Sequence, residues 1–298
     1  MIAIDLGSNT LRVLAYECSS GTRIFEFEKV VRTADGLVQT GIISKEATAR
    51  VIATIKEAQA KIDFSSSVVK AVTTEAMRRA SNSVQVLDEI KKETGVAFEI
   101  ITGEEEARLT LKAVKYRLAA LAYVPDSFVV ADIGGGSTEL IFHYGEETFS
   151  QSFPVGIVTI AQTHATLEAI GGALPAAMQE MSLFCQKVYQ AKGKVQAYVA
   201  TAGTPTTVAA MKLGQSYERY DASKINGTSL QLHELDVYLE KLLSLNPKER
   251  QIAVGTGRAD LVAAGILIYK QLYRLLGFET CIVIDDGLRE GVALDACQ

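Results

Sequence analysis

Soft metal ligands are scarce in this chain of 298 residues: it has three histidines and four cysteines, and neither set is clustered. His143, His164 and His233 stand alone, which leaves a zinc centre or a histidine-based phosphatase little to build on. Cys18, Cys185, Cys281 and Cys297 are far apart and form no CxxC, so no metal or disulfide role is expected of them. Proline is rare, with 5 residues, and no stretch is low in complexity; at 48% hydrophobic the chain belongs with compact folded proteins. No apolar run is long enough to cross a bilayer, and Met1 leads straight into a strand ending at Asp5, so the expected setting is the cytoplasm, off the membrane. Excess positive charge is missing too. The net charge of −5 argues against general nucleic-acid binding. A polyanionic substrate would have to be met by local arginine, lysine or metal, because the field of the whole molecule repels it.

What is present centres on Phe128–Phe142, FVVADIGGGSTELIF. An apolar run enters Asp132; Gly134, Gly135 and Gly136 follow; Ser137, Thr138 and Glu139 lead into a second apolar run. This reads as strand, tight turn, strand. Consecutive glycines let backbone N–H groups converge on an anion with no Cβ in the way. Asp132 and Glu139 flank the turn, placed to hold Mg²⁺ beside a bound phosphate. The pattern is neither a Walker A loop nor a dinucleotide fingerprint. A glycine-rich hairpin with surface carboxylates is the plain alternative.

The beginning of the chain repeats it. Sliding MIAIDLGSNTLRVLAY by 127 residues lays Asp5 on Asp132, Gly7 on Gly134, Thr10 on Ser137 and Arg12 on Glu139. A repeat at this distance implies a duplicated domain, with two hairpin loops facing across a cleft and a ligand carrying more than one phosphate. The expected division is residues 1–124 and 125–298, with the closing helix, 286–298, packing back on the first domain.

Other stretches sit where strands run into helices. Val68–Thr73 is a strand followed by Thr74-Glu75-Ala76-Met77-Arg78-Arg79, a place where anions are commonly bound, although the arginines also suit a solvated face. Glu104, Glu105 and Glu106 open a helix after the strand Ala97–Thr102. Two carboxylates suffice to meet the helix dipole, which leaves one for chemistry. Gly203-Thr204-Pro205-Thr206-Thr207, between the strand Val195–Thr201 and the helix Val208–Leu213, fits a phosphate or a helix cap equally well. Further helices are expected from Ser44, over Leu174–Ala191, Leu232–Leu245 and Ala259–Leu276, and after the last strand, Cys281–Ile284; Gly214–Leu232 reads as irregular.

Taken in order, the motifs resemble those of the exopolyphosphatase/guanosine pentaphosphate phosphohydrolase (Ppx/GppA) family: DLGSNTLR at Asp5–Arg12, TTEAMRRASN at Thr73–Asn82 and GEEEAR at Gly103–Arg108, then DIGGGSTEL at Asp132–Leu140, GTPTT at Gly203–Thr207 and DDGLREG at Asp285–Gly291. The resemblance implies an α/β fold of two ribonuclease-H-like domains of the actin/Hsp70/sugar-kinase (ASKHA) type, an active-site cleft between them, a Mg²⁺ cofactor and a homodimer. It implies that Glu106 is the catalytic base, that Arg78 faces phosphate, and that Asp132 and Glu139, with Asp5 as a further candidate, serve the metal. Gly7, Ser8, Asn9, Thr10, Gly134, Gly135, Gly136, Ser137, Thr138, Gly203 and Thr204 are then the phosphate-binding candidates. One departure is the stretch from Glu106 to Asp132, which runs a few residues longer than the family pattern.

The activity so implied is release of terminal orthophosphate from inorganic polyphosphate, with guanosine pentaphosphate (pppGpp) as the alternative substrate. A kinase of the same fold would need an acceptor motif, and a nucleotide switch would need partner-binding insertions; the sequence shows neither. The only neighbouring basic pairs are Arg78-Arg79 and Lys91-Lys92, too few for a long polyanion track, so distributive cleavage of short chains is expected.

Overall fold

The sheet that begins the chain owes its order to β1 (Ile2–Leu6), an apolar strand buried at every position. In this computed structural model, which describes residues 1–256 and 258–298, the contacts divide the chain into two units: Met1–Ala113 with Leu288–Gln298, and Val114–Gly287.

In the first unit β1 is followed by β2 (Thr10–Glu17), β3 (Thr22–Val30), α1 (Leu37–Thr40), α2 (Lys45–Gln59), β4 (Val69–Thr73), α3 (Glu75–Arg79), α4 (Ser83–Thr94), β5 (Phe98–Ile100) and α5 (Gly103–Ala120). The strand order is β3-β2-β1-β4-β5, with β1, β2 and β3 an antiparallel meander and β4 and β5 parallel to β1. Helix α2 starts where expected: Ser44 Oγ accepts the Ala47 N–H at 3.1 Å, and Ala47, Val51, Ile55 and Ala58 form its buried stripe. Helix α4 was not apparent from the sequence, because only Val86 and Ile90 of its residues are buried.

The second unit holds β6 (Ser127–Ile133), β7 (Thr138–Tyr144), β8 (Glu147–Phe153), α6 (Ile157–Thr163), α7 (Leu167–Ala177), α8 (Gln179–Lys192), β9 (Ala197–Thr201), α9 (Gly203–Lys212), α10 (Ala222–Ile225), β10 (Thr228–Gln231), α11 (Leu232–Ser244), α12 (Pro247–Val254), α13 (Ala259–Leu276) and β11 (Thr280–Val283). Its sheet order is β10-β11-β9-β6-β7-β8. Read from β8, the succession β8-β7-β6-β9-β11 repeats that of the first unit, again an antiparallel meander followed by two parallel strands, with β10 added antiparallel at the edge. Two sheets of this ribonuclease-H-like order make the ASKHA-type fold that the family resemblance implies.

Some elements differ from expectation. The helix read over Leu174–Ala191 is interrupted: Pro175 lies in the last turn of α7, which stops at Ala177, and α8 starts afresh. The stretch read as irregular contains α10 and β10. The GTPTT stretch is the first turn of α9 rather than a loop before it, since Pro205 is tolerated where N–H groups have no helical partner.

α14 (Leu288–Ala296) completes the first unit, burying Leu288, Val292 and Ala293 with Ala3, Leu14, Val72 and Leu109. A Cβ at Gly291 would fall 2.1 Å from the Leu109 carbonyl oxygen, so the two helices meet backbone to backbone. Arg108 and Lys112 donate to Asp295 Oδ1 at 3.0 and 2.8 Å, and these hydrogen bonds, Arg108 first, hold its carboxyl down to about 2. The cysteines correct the sequence reading: Cys18, in the turn after β2, is joined by a disulfide to Cys297 just past α14. Spacing gave no sign of it because 279 residues separate the two, and only the folded sheet brings them together.

A crosslink between residues so distant removes much chain entropy from the unfolded state, with typical stabilisation of about 2–4 kcal/mol. Reduction, or Cys18→Ser, is expected to lower the melting temperature by roughly 5–15 °C. Thermal unfolding followed by circular dichroism with and without reductant checks this, and Cys18→Ser should no longer respond to reductant.

Candidate active site

The turn between β1 and β2 is closed by the Gly7 N–H, which donates to the Thr10 carbonyl at 3.0 Å. The Ser8 carbonyl accepts the Ala34 N–H at 2.8 Å, and the Asn9 carbonyl accepts those of Val31 and Arg32, each at 2.9 Å. With these carbonyls taken up from within, the Ser8 and Asn9 N–H groups have no acceptor among the described residues. Ser8 and Asn9 are themselves buried, and the Asn9 amide reaches Thr10 Oγ1 only at 3.5 Å.

The second hairpin repeats the device with different neighbours. Gly134 N–H donates to the Ser137 carbonyl at 2.9 Å, the counterpart of the Gly7 bond. Gly134 therefore shapes the turn and its N–H is not free for an anion. The Gly134 and Gly135 carbonyls accept the Ile157 and Val158 N–H groups at 3.0 and 2.8 Å, and the Gly136 carbonyl accepts from Thr159 Oγ1 at 3.0 Å. All three donors lie at the start of α6. The Gly135 and Gly136 N–H groups have no acceptor among the described residues, which is the condition for an anion-binding nest. Gly156, at the N-cap of α6, makes this close approach possible: a Cβ there would lie 2.4 Å from the Gly135 oxygen and the Gly136 carbonyl carbon.

Asp132 and Glu139 are direct cross-strand partners on β6 and β7, so their side chains leave the same face of the sheet. Both are buried, at 8% and 1% exposure. Glu139 Oε1 accepts two hydroxyls, Ser137 Oγ at 2.7 Å and Ser152 Oγ at 2.6 Å, which fix its rotamer. Thr138 spends its hydroxyl on the Val155 carbonyl at 2.6 Å and anchors the segment after β8. Two adjacent carboxylates with hydroxyls close by are a hard oxygen donor set, suited to Mg²⁺, which takes one or two carboxylates and completes its shell with water and phosphate. In the first hairpin Asp5 faces Arg12 instead, with Nη1 4.0 Å from Oδ2, and Arg12 Nε lies 3.3 Å from Glu28. A carboxylate set against a guanidinium is the poorer cation ligand, which makes Asp5 a weaker candidate than the pair on the second hairpin.

Arg78 and Glu106 come together in the first unit. Arg78 Nη1 donates to Glu106 Oε2 and to the Ile101 carbonyl, each at 2.9 Å, and its Nε donates to Glu75 Oε2 at 3.1 Å. Burial works against the Arg78 charge, but Glu106 and Glu75 outweigh it and raise its pKa. Glu106 is 7% exposed, whereas Glu105 is turned outward to Arg108 at 2.8 Å. Of these two carboxylates, only Glu106 is turned inward.

At the start of α9 the backbone is strained. Ala202, just before Gly203, has φ 70° and ψ −173°, a region that favours glycine and that side chains occupy mainly where function requires it. Thr207 and Thr206 return their hydroxyls to the Gly203 and Ala202 carbonyls at 2.6 and 2.9 Å. Thr204 is fully buried, and a Cβ on Gly265 of α13 would fall 2.1 Å from its Oγ1. Its side chain faces the core, so what this stretch offers a phosphate is backbone. An Arg258 guanidinium nitrogen stands 3.0 Å from where a Cβ on Gly203 would be, adding a cation that the sequence analysis did not single out. Nor did it single out Ser152 or Glu75; the signal for Ser152 was cross-strand register, invisible until β7 and β8 are paired.

Comparison with known proteins shows the family. Residues 16–298 match the Ppx/GppA phosphatase family. The chain belongs to that family. Among relatives of this Ppx/GppA phosphatase, Exopolyphosphatase 2 of Mycobacterium tuberculosis is 29% identical over 98% of the chain and 97% of its own length. Exopolyphosphatase 1 of Mycobacterium leprae is 30% identical over 98% and 87%. The Aquifex aeolicus PPX-GPPA enzyme superimposes with TM-score 0.74 at 31% identity, covering 99% of this chain and 98% of that one. An exopolyphosphatase from Cytophaga hutchinsonii, 24% identical, shares the fold with TM-score 0.85 over 99% and 97% of the two chains.

Because Gly156 touches the glycine loop backbone, Gly156→Ala is expected to push that loop out of place. Stability should drop by about 1–3 kcal/mol, as for overpacking elsewhere. Phosphatase activity should fall further than stability alone explains, which urea titration alongside steady-state kinetics would reveal.

Proposed function

We propose that this Ppx/GppA phosphatase is an exopolyphosphatase, which releases terminal orthophosphate from inorganic polyphosphate by Mg²⁺-dependent hydrolysis of a phosphoanhydride bond. The observation that carries the reading is the 2.9 Å contact between Arg78 and Glu106, a buried carboxylate held against a cation. Phosphoryl transfer goes through a loose transition state, so a protein serves it mainly by positioning water and neutralising spreading oxygen charge. Glu106 orients the attacking water and accepts its proton. Arg78 shifts part of its hydrogen bonding to a phosphoryl oxygen, a charge-assisted contact. The N–H groups of Gly135 and Gly136 in the second unit, and those of Ser8 and Asn9 in the first, are each suited to a phosphate oxygen. Bound by Asp132 and Glu139, Mg²⁺ would neutralise phosphate charge. A cytoplasmic homodimer is the setting that the family implies; among the described residues, no helix is long and apolar enough to cross a membrane.

Phosphate release measured side by side from polyphosphate, pppGpp, ATP and GTP tests the reading. Short polyphosphate should be hydrolysed fastest; preference for pppGpp would transfer the activity to that substrate, and loss of activity in EDTA is expected for either. Glu106→Gln should lower turnover by about 10²–10⁴ while substrate binding persists. If Glu106 served only the dipole of α5, the same change would cost about 0.3–1 kcal/mol of stability and leave turnover intact.

A further inference from the structure

Glu75 opens the five-residue helix α3 and has no part in the chemistry described so far. Its position relative to Arg78 gives it one. Spaced three residues apart, the two meet along the Nε edge of the guanidinium, with Glu75 Oε2 3.1 Å from both Nε and Nη2. The Nε contact is an aligned hydrogen bond; Nη2 lies within ion-pair reach but makes no hydrogen bond, although it is buried. The opposite nitrogen, Nη1, is taken by Glu106 and the Ile101 carbonyl. The guanidinium plane is thus held at two edges by two carboxylates, and the nitrogen without an aligned acceptor is Nη2. The other oxygen of Glu75 lies 4.0 Å from Arg79 Nε, which leaves Arg78 its nearer partner.

An arginine facing a single carboxylate tends to close on it with two parallel N–H···O bonds. If Arg78 did this with Glu106, one fork would occupy both the cation meant for phosphate and the base meant for water. We propose that Glu75 is a positioning residue that prevents this closure: by holding the Nε and Nη2 edge of the guanidinium it leaves Glu106 bonded to Nη1 alone, so that the Glu106 carboxylate is not drawn into a fork. The inference rests on the role proposed above for Arg78 and adds to it the residue that sets its orientation.

The test is a double-mutant cycle on the purified enzyme with short polyphosphate, using Arg78→Gln, Glu75→Gln and the pair, with circular dichroism to establish folding. Arg78→Gln should lower kcat/KM about 100-fold, as expected for loss of a charged hydrogen bond. Glu75→Gln should lower it about 10-fold, and the double variant should be no worse than Arg78→Gln alone, because a positioning residue has nothing to do once its target is gone. Glu75→Asp keeps the charge but draws it back by one methylene, and should give a smaller loss that also disappears in the Arg78→Gln background. A loss of equal factor with and without Arg78 would mark Glu75 as merely structural and overturn the proposal, as would unchanged kcat/KM in Glu75→Gln beside an impaired Arg78→Gln. Full activity in Arg78→Gln would instead remove the role of Arg78 itself, and the positioning proposal with it.

Discussion

Backbone carbonyls want donors, and in this phosphatase the donors that satisfy them decide where the free N–H groups of the hairpin turns are left. The Gly135 and Gly136 carbonyls are engaged by the beginning of α6, and the Ser8 and Asn9 carbonyls by the segment Val31–Ala34. Each turn is consequently held in one orientation, with unmatched donors on the remaining edge. Unsatisfied buried backbone groups are costly, so such donors persist only where a ligand or water takes them. The absence of a side chain at Gly156 is what lets α6 come close enough to do this. Strand registry, the cross-strand placing of Asp132 beside Glu139, and the hydroxyls on Glu139 all follow from the same hairpin geometry.

Duplication supplied two copies of this turn, and the copies have diverged in charge. Where the second hairpin sets a carboxylate opposite Asp132, the first sets an arginine opposite Asp5. One therefore presents negative charge and suits a cation, while the other is close to neutral. In the first unit the clustered charges are instead side chains of α3 and α5, with Arg78 bonded to Glu75 and to Glu106.

Much of this was legible in the sequence because glycine, charge and apolar period carried the signal locally. The repeat of Asp5–Arg12 in Asp132–Glu139 gave the two sheets, and the family resemblance singled out Glu106 and Arg78, which the fold brings into contact. What stayed hidden depended on partners far along the chain. Ser152 reaches Glu139 only through the pairing of β7 with β8, and Cys18 meets Cys297 only when α14 lies on the first sheet. Thr204 resembled a ligand by composition but turns to the core, because α9 begins earlier than its proline suggested. α12 could have been found from its Asn246 cap and Glu249, a capping box that periodicity alone overlooks in so short a helix.

The first unit is assembled from both sides of the second, and this has a consequence for how the chain is made. On the ribosome, Val114–Gly287 emerges complete before Leu288–Gln298 appears. The second sheet and its helices can therefore settle while the first still lacks α14, whose Leu288 and Val292 cover Ala3, Leu14 and Val72. Until those last residues arrive, the nascent first unit carries an open apolar face of the sort that chaperones recognise. The unit that holds Met1–Ala113 is thus completed only after the whole of Val114–Gly287 has been made.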